Sequence, residues 1–482
     1  MEQSELYAGK QRQSTIYEAV QMRIREGEWK QHDKLPSVRA MAERMQVHRL
    51  TVLKAYQQLA DEGILYAKYK SGYFVGPLED FETGVSSEQS WTYQAKPVYV
   101  NQSRLSDIHR HSVDYQMAEA LIDPQLLPNA YMSNYVKEVF DLYPRVLSTY
   151  SSVMGDLELR EAMAQFYLDK YGVSVDAAEL MITTGSQQAI DLISRALVKP
   201  GDKVLIERPT YSPAIDAFLQ HRIQLFAVEI TPSGYDMAEI EAIMKQERPR
   251  LFYMNPTFQN PTGYTVPVHQ RKQLIELAER YDCLLVEDDV YQDIYFGSPP
   301  PPPFFYYDTE GYVIYIRSFS KYVAPGLRIS ILAARPSVMS SIVPVKALSD
   351  NGTPLLNQKI FQHYFFSSRL QEHVVKLRTA LDIRRAKMEQ MLAGGWRFDS
   401  PNGGLNLWVQ VPQSLSVEEL LHRSLAQSMA FVPGSICDPL GGMKDRLRLS
   451  YSYMNESKLT EGIQRLVTLA DELMNDKNGQ VG

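Results

Sequence analysis

The chain has 482 residues, of which 44% are hydrophobic, and a formal net charge of −7. That length predicts two or three domains with ample core-forming content and excludes a small disulfide-stapled module. No run of 18 apolar residues exists to span a membrane, and Met1 to Lys10 is polar with no secretory pattern. The only cysteines, Cys283 and Cys437, predict reduced thiols in a cytoplasmic protein, and nine histidines without ligand spacing predict no metal site.

Charge is unevenly spread. Residues 10–76 hold 12 Lys and Arg against 7 Asp and Glu, a net +5, so the rest of the chain carries −12. A small basic module joined to an acidic body is expected. Ile16, Val20 and Ile24 share one helical face, and Gly27 ends that run. Pro36-Ser37 opens a second helix with Ser37 as N-cap and turns Val38, Met41, Ala42 and Met45 inward. A third helix buries Val52, Ala55, Tyr56 and Leu59 and stops at Gly63. Two short strands follow, around Ile64 to Tyr66 and Tyr73 to Val75, joined by Lys68-Tyr69-Lys70-Ser71-Gly72. This order is helix, helix-turn-helix, basic wing. It offers His48, Arg49, Thr51 and Lys54 to a DNA groove, Ser37 and Arg39 to phosphate, and Lys68 and Lys70 on the wing. The competing reading is a solvated basic face on a protein-interaction domain. Lys34 to Arg39, Thr51 to Leu59 and Glu62-Gly63 together resemble a GntR-type winged helix, which implies DNA binding. His48 replaces the family's usual Ser or Thr, and Lys70-Ser71-Gly72 replaces its Gly-x-Gly, implying altered base preference and wing shape. The DNA-binding domain is assigned to 1–77, a polar linker to 78–109 and an effector domain to 110–482.

The body carries five strands, each followed by a chemically loaded turn. After Leu180-Met181-Ile182, Gly185, Ser186 and Gln187 open a helix as an anion nest. After Val204-Leu205-Ile206 comes Tyr211, suited to stack on a planar ring. After Leu251 to Met254, two Asn-Pro pairs fix two turns and present Asn260. Leu284 to Val286 runs into Glu287-Asp288-Asp289, three carboxylates that repel unless a cation lies near, with Tyr291 three residues past Asp288. Metal binding is the competing use of such acids. Pro299 to Pro303 predicts an exposed extended loop. Finally, Val313 to Ile316 reads as a buried strand leading to Ser318-Phe319-Ser320-Lys321, with Arg328 seven residues on. A lysine beside a phosphate cradle suits pyridoxal phosphate: its amine makes a Schiff base while the phosphate anchors the other end.

In this order the motifs resemble a fold type I aminotransferase over about 110–475. The resemblance implies an α/β fold: a large mixed-sheet domain with a small C-terminal α+β domain, behind the winged helix. It makes Lys321 the Schiff-base lysine, Asp288 the partner of the pyridine nitrogen, and Tyr291 and Asn260 donors to the phenolic oxygen. Gly185, Ser186, Gln187, Ser318, Ser320 and Arg328 become phosphate ligands, and Tyr211 the ring stacker. Arg448, in a strand resembling the family's Arg-Leu-Ser, grips an α-carboxylate, with Arg446 two residues away on the same face. Tyr150 matches a tyrosine that reaches the neighbouring subunit's phosphate, which implies a homodimer. A linker of about 30 residues reaches up to roughly 100 Å extended, enough for a domain-swapped arrangement.

A GntR-type head on an aminotransferase-like body is the arrangement of the MocR-type transcription regulators. The expected function is a pyridoxal-phosphate-dependent regulator. It would bind an operator with paired half-sites and sense an amine or amino acid by forming an external aldimine at the Lys321 site. The alternative is an aminotransferase with a tethered DNA-binding domain, since the residues for proton transfer are also present.

Overall fold

The computed structural model describes residues 15–24, 26–61, 64–68, 71–76, 103–392 and 395–479. Contacts divide the chain into Met1–Lys96 and Pro97–Gly482, and each unit is taken by itself.

In the first unit, α1 (15–24), α2 (Val38–Met45) and α3 (Arg49–Asp61) are followed by a hairpin of β1 (Leu65–Lys68) and β2 (Gly72–Val75). The core is the set the helical periodicity selects. Ile16, Val20 and Ile24 of α1 pack with Met41, Ala42, Val52, Ala55, Tyr56 and Leu59, whereas Val38 and Met45 are only half-buried. Ser37 caps α2 as expected, its hydroxyl accepting from Ala40 N at 3.1 Å. One element has no signature in the sequence. The segment 32–35 pairs with β2: His32 N donates to Val75 O at 3.0 Å, Leu35 N to Tyr73 O at 2.9 Å, and Lys34 bridges Phe74.

The second unit begins with α4 (Arg104–His109) and β3 (Tyr115–Gln116), then α5 (Asn129–Leu142) and α6 (Leu157–Tyr171). Its centre is an eight-stranded sheet of β4 (Leu180–Thr183), β5 (Lys203–Arg208), β6 (Gln224–Thr231), β7 (Gly234–Tyr235), β8 (Leu251–Met254), β9 (Leu284–Asp289), β10 (Val313–Ser318) and β11 (Ser330–Ala333). The spatial order is β4-β11-β10-β9-β8-β5-β6-β7. The run β10 to β6 is parallel, and β11 is antiparallel to both its neighbours, so the sheet is mixed. Helices cover both faces, which is why β8 and β10 are apolar-rich and buried at every position rather than alternating. A smaller antiparallel sheet of β12 (Asn406–Gln410), β14 (Val432–Pro433) and β15 (Arg446–Ser450) forms the C-terminal part. β13 (Met429–Ala430) pairs with β3, tying the start of this unit to its end.

Two expectations change. Residues 103–109, placed in the linker from sequence, form α4 and the residue before it, with Leu105 and Ile108 buried against Trp408 and Val432. Two apolar side chains three apart are too short a pattern to separate a helix from polar surroundings. The proline run is not an exposed loop. Pro299 is exposed, but Pro303 is buried, Pro302 O accepts from Arg271 at 3.1 Å, and Pro301 O accepts from Gln292 at 3.1 Å. A proline carbonyl remains a good acceptor, and here two buried side chains use it. No helix among the described residues is long and apolar enough to cross a membrane.

Candidate functional site

The parallel strands and β4 end at one edge of the sheet, and a cavity of about 270 Å³ opens there. It brings together Ser186, Gln187, Tyr211, Asn260, Asp288, Tyr291, Ser318, Ser320, Lys321, Arg328 and Arg448. Gly185 caps α7 (Ser186–Leu197) with φ +84°, and a Cβ there would collide with the Arg328 guanidinium. Tyr150 is not in this cavity; it is 89% exposed.

The three adjacent carboxylates do not share one environment. Alternation along β9 sends only Asp288 to the cavity. Glu287 faces away, accepting from Phe304 N at 2.9 Å and Phe305 N at 3.1 Å with Arg271 3.7 Å off. Asp289 accepts from Tyr315 Oη at 2.6 Å and lies 3.8 Å from Arg317. The mutual repulsion expected from sequence is therefore answered by two buried arginines, not by one ligand.

Asp288 is left with a distinct problem. Tyr253 Oη donates to its Oδ2 at 2.7 Å, but Oδ1 is buried with no partner. Burial pushes its pKa up to about 7, opposed by the Tyr253 bond. Lys321 Nζ donates to Ala120 O at 2.8 Å. Burial, then Arg448 and Arg328, lower its pKa to about 8. Arg448 donates from Nη1 to Asn260 Oδ1 at 3.1 Å and from Nη2 to Ala118 O, leaving Nε without a partner. With its oxygen so used, Asn260 presents its NH2 as the free end. Burial pushes Tyr291 up to about 12, so it stays a donor. Ser320 Oγ and Gln187 Oε1 are also buried without partners.

These orphaned atoms fit one planar group. Asp288 Oδ1 asks for a ring N–H, Asn260 and Tyr291 can donate to a ring oxygen, and the Gly185 turn with Ser186, Ser320 and Arg328 forms a phosphate cradle. Among the described residues no cluster of three or more His, Cys, Asp or Glu is placed to hold a metal.

Sequence reasoning missed four contributors. Tyr253 looks like one more buried strand aromatic. Asn255 carries only a turn signal in the sequence, yet its Oδ1 accepts from Asn260 N at 2.8 Å and its amide donates to the Asp288 main-chain O. His109 and Glu119 line the cavity from a stretch with no motif at all.

On the DNA-binding unit, His48, Arg49 and Lys54 are exposed and Thr51 is half-buried. His48 precedes α3, and its Nδ1 accepts from Leu50 N at 3.3 Å. Arg39 pairs with Glu43 at 3.1 Å, an exposed contact of little strength. Lys68 holds its ammonium 4.8 Å from the Phe74 ring centroid and 5.6 Å from that of Tyr66. Lys70 lies outside the described residues.

Comparison with known proteins agrees with both units. Residues 12–75 match bacterial regulatory proteins of the gntR family, and residues 133–466 match aminotransferase class I and II. The chain is 28% identical to the uncharacterized HTH-type transcriptional regulator YdfD of Bacillus subtilis, over 95% of this chain and 96% of that protein. It is 27% identical to the HTH-type transcriptional regulator NorG of Staphylococcus aureus, over 90% and 99%. Among solved structures it is similar to LysN, an alpha-aminoadipate aminotransferase of Thermus thermophilus complexed with N-(5'-phosphopyridoxyl)-L-leucine. The TM-score is 0.72 at 32% identity, covering 78% of this chain and 96% of that one. The chain belongs to the aminotransferase class I and II family and, with its gntR-family head, is a pyridoxal-phosphate-dependent transcription regulator of the MocR type.

Proposed function

We propose that this regulator is a cytoplasmic homodimer that senses an amino acid in the Lys321 cavity and changes its hold on an operator with paired half-sites. The observation that carries the reading is the grouping of Lys321, Asp288 with its orphaned Oδ1, and Arg448 in one cavity, in a chain that also has a DNA-binding head.

Pyridoxal phosphate, when bound, supplies an aldehyde that takes up amines covalently and a ring that withdraws electrons. Lys321 is the amine that holds it. A pKa near 8 leaves a substantial share of the lysine neutral and nucleophilic close to neutral pH. Asp288 would accept the ring N–H; Tyr253 holds its carboxylate and Asn255 its main-chain carbonyl. Arg448 is oriented by Asn260 and the Ala118 carbonyl, so its remaining N–H meets an α-carboxylate. Binding at Arg448 and release of Lys321 would favour one body conformation over another, and only that difference can move the heads. Tyr150, exposed on its own chain, is assigned to the partner's phosphate cradle. The same residues would serve proton transfer in a transaminase, with Lys321 as the base, and this remains the second reading.

Borohydride reduction followed by digestion tests the site. The pyridoxyl group should sit on Lys321, and Lys321→Ala should abolish the linkage; label on another lysine would overturn the assignment. Titrating amino acids against the protein's visible absorbance and operator affinity then separates the readings. A sensor shifts both without releasing a keto acid, whereas steady keto-acid formation with unchanged DNA binding supports the transaminase.

A further inference from the structure

One carboxylate in the cavity has no task in the cofactor reading. Glu119, between β3 and α5, is half-buried and lines the cavity. Each cation nearby is already engaged. Lys321 donates to Ala120 O, Arg328 to Thr184 O, and Arg448 to Asn260 and Ala118. Among the described residues Glu119 has no hydrogen bond and no ion pair within 4.0 Å, although its charge acts on both His109 and Lys321.

His109 does not neutralise it. The ring hydrogen-bonds the Ala118 carbonyl, and burial, with Arg448 and Lys321 near, holds it below its ordinary pKa. A carboxylate half out of water with no direct ion pair or hydrogen bond is open to an entering cation. The surrounding wall is apolar, with Leu105, Ala120 and Leu121. An aliphatic stem ending in a positive charge satisfies both features, and Arg448 is left for the α-carboxylate at the other end.

We propose that the effector is an amino acid whose side chain carries a cation, of the diamino acid class, and that Glu119 receives that cation beside Leu105 and His109 of α4. This rests on the amino-acid-sensing reading and narrows it. It also gives the effector's side chain a direct contact with α4, the first described element after the segment leading from the DNA-binding unit.

The test uses the full-length protein with its cofactor, titrated with L-lysine, L-ornithine, L-norleucine and L-glutamate while cofactor absorbance is followed. Lysine or ornithine should bind at least about tenfold tighter than norleucine, which has a similar stem and no charge. In Glu119→Gln the two affinities should fall within about twofold of each other. A ratio is read, so any general loss of affinity cancels. Glu119→Asp should keep the preference. Norleucine or glutamate binding wild type as tightly as lysine overturns the inference, whether or not the Gln variant folds. So does an unchanged lysine preference in Glu119→Gln. A response to none of the four sinks amino-acid sensing itself and this narrowing with it.

Discussion

Asp288 is the residue whose surroundings most constrain what the protein can hold. It is buried, has one hydrogen bond from Tyr253, and presents an oxygen to nothing. Its folded pKa, about 7, lies above the ordinary carboxylate value because burial disfavours the charge. For a raised pKa, the favourable contribution is complete below about pH 4 and is lost as pH rises through 7. Above that pH the cofactor-free protein must keep an uncompensated buried charge. Asp288→Asn removes the charge and keeps an acceptor for Tyr253. The cofactor-free variant should therefore melt higher than wild type at pH 8, by an amount on the order of 2–4 kcal/mol in stability, and show little gain at pH 4–5. The same variant should retain pyridoxal phosphate less well. Thermal melts at the two pH values check this; an equal gain at both would mean the charge was not the cause.

At the scale of elements, α3 and the wing are suited to different tasks on DNA. Arg49 is exposed at the first position of α3, the helix whose buried face is Val52, Ala55, Tyr56 and Leu59. A side chain so placed is suited to reading base edges. Arg49→Ala should cost about 1–3 kcal/mol on the operator and relax discrimination against scrambled DNA. Lys68 is held over the rings of Phe74 and Tyr66 on the hairpin, a position suited to phosphate. Lys68→Ala should weaken every sequence alike and flatten the salt dependence by about one phosphate contact. Binding isotherms on both DNAs at several salt concentrations distinguish the two. Unchanged discrimination by the Arg49 variant would remove α3 from base reading.

At the scale of the molecule, the second unit exposes large apolar side chains along one stretch. Tyr131, Phe140 and Leu142 of α5, with Leu147 and Tyr150 beyond it, are all large and at least 40% exposed. Large apolar side chains concentrated in one stretch mark an interface more often than a free surface. The full-length protein should sediment at twice its chain mass at micromolar concentration. Leu147→Glu should shift it toward monomer and loosen the cofactor, because Tyr150 of the partner would leave the cradle. A monomer that still holds its cofactor would end both the shared-site and the paired-half-site readings.

Most of the site was legible because its signals are local. A strand followed by a few small, polar or turn-forming residues identified Lys321, Asp288, Tyr211, Asn260 and the Ser186 turn without knowledge of their neighbours. Helical periodicity likewise selected the core of the head. The rest depends on contacts between distant segments. Arg448 donates to Ala118, 330 residues away, and it prevails over Arg446 because it lies between β12 and β14, opposite Trp408 and Val432. Which of three acids faces the cavity follows from the pleat of β9 and from where Arg271 and Arg317 come to rest. Pairing of 32–35 with β2, burial of Pro303, and the approach of Leu105, His109 and Glu119 to the cavity have no periodic pattern to announce them. Each exists only when separate elements close on one another. Residue type and order were therefore enough to name the chemistry, while packing alone determined the wall of the cavity formed by Leu105, His109 and Glu119.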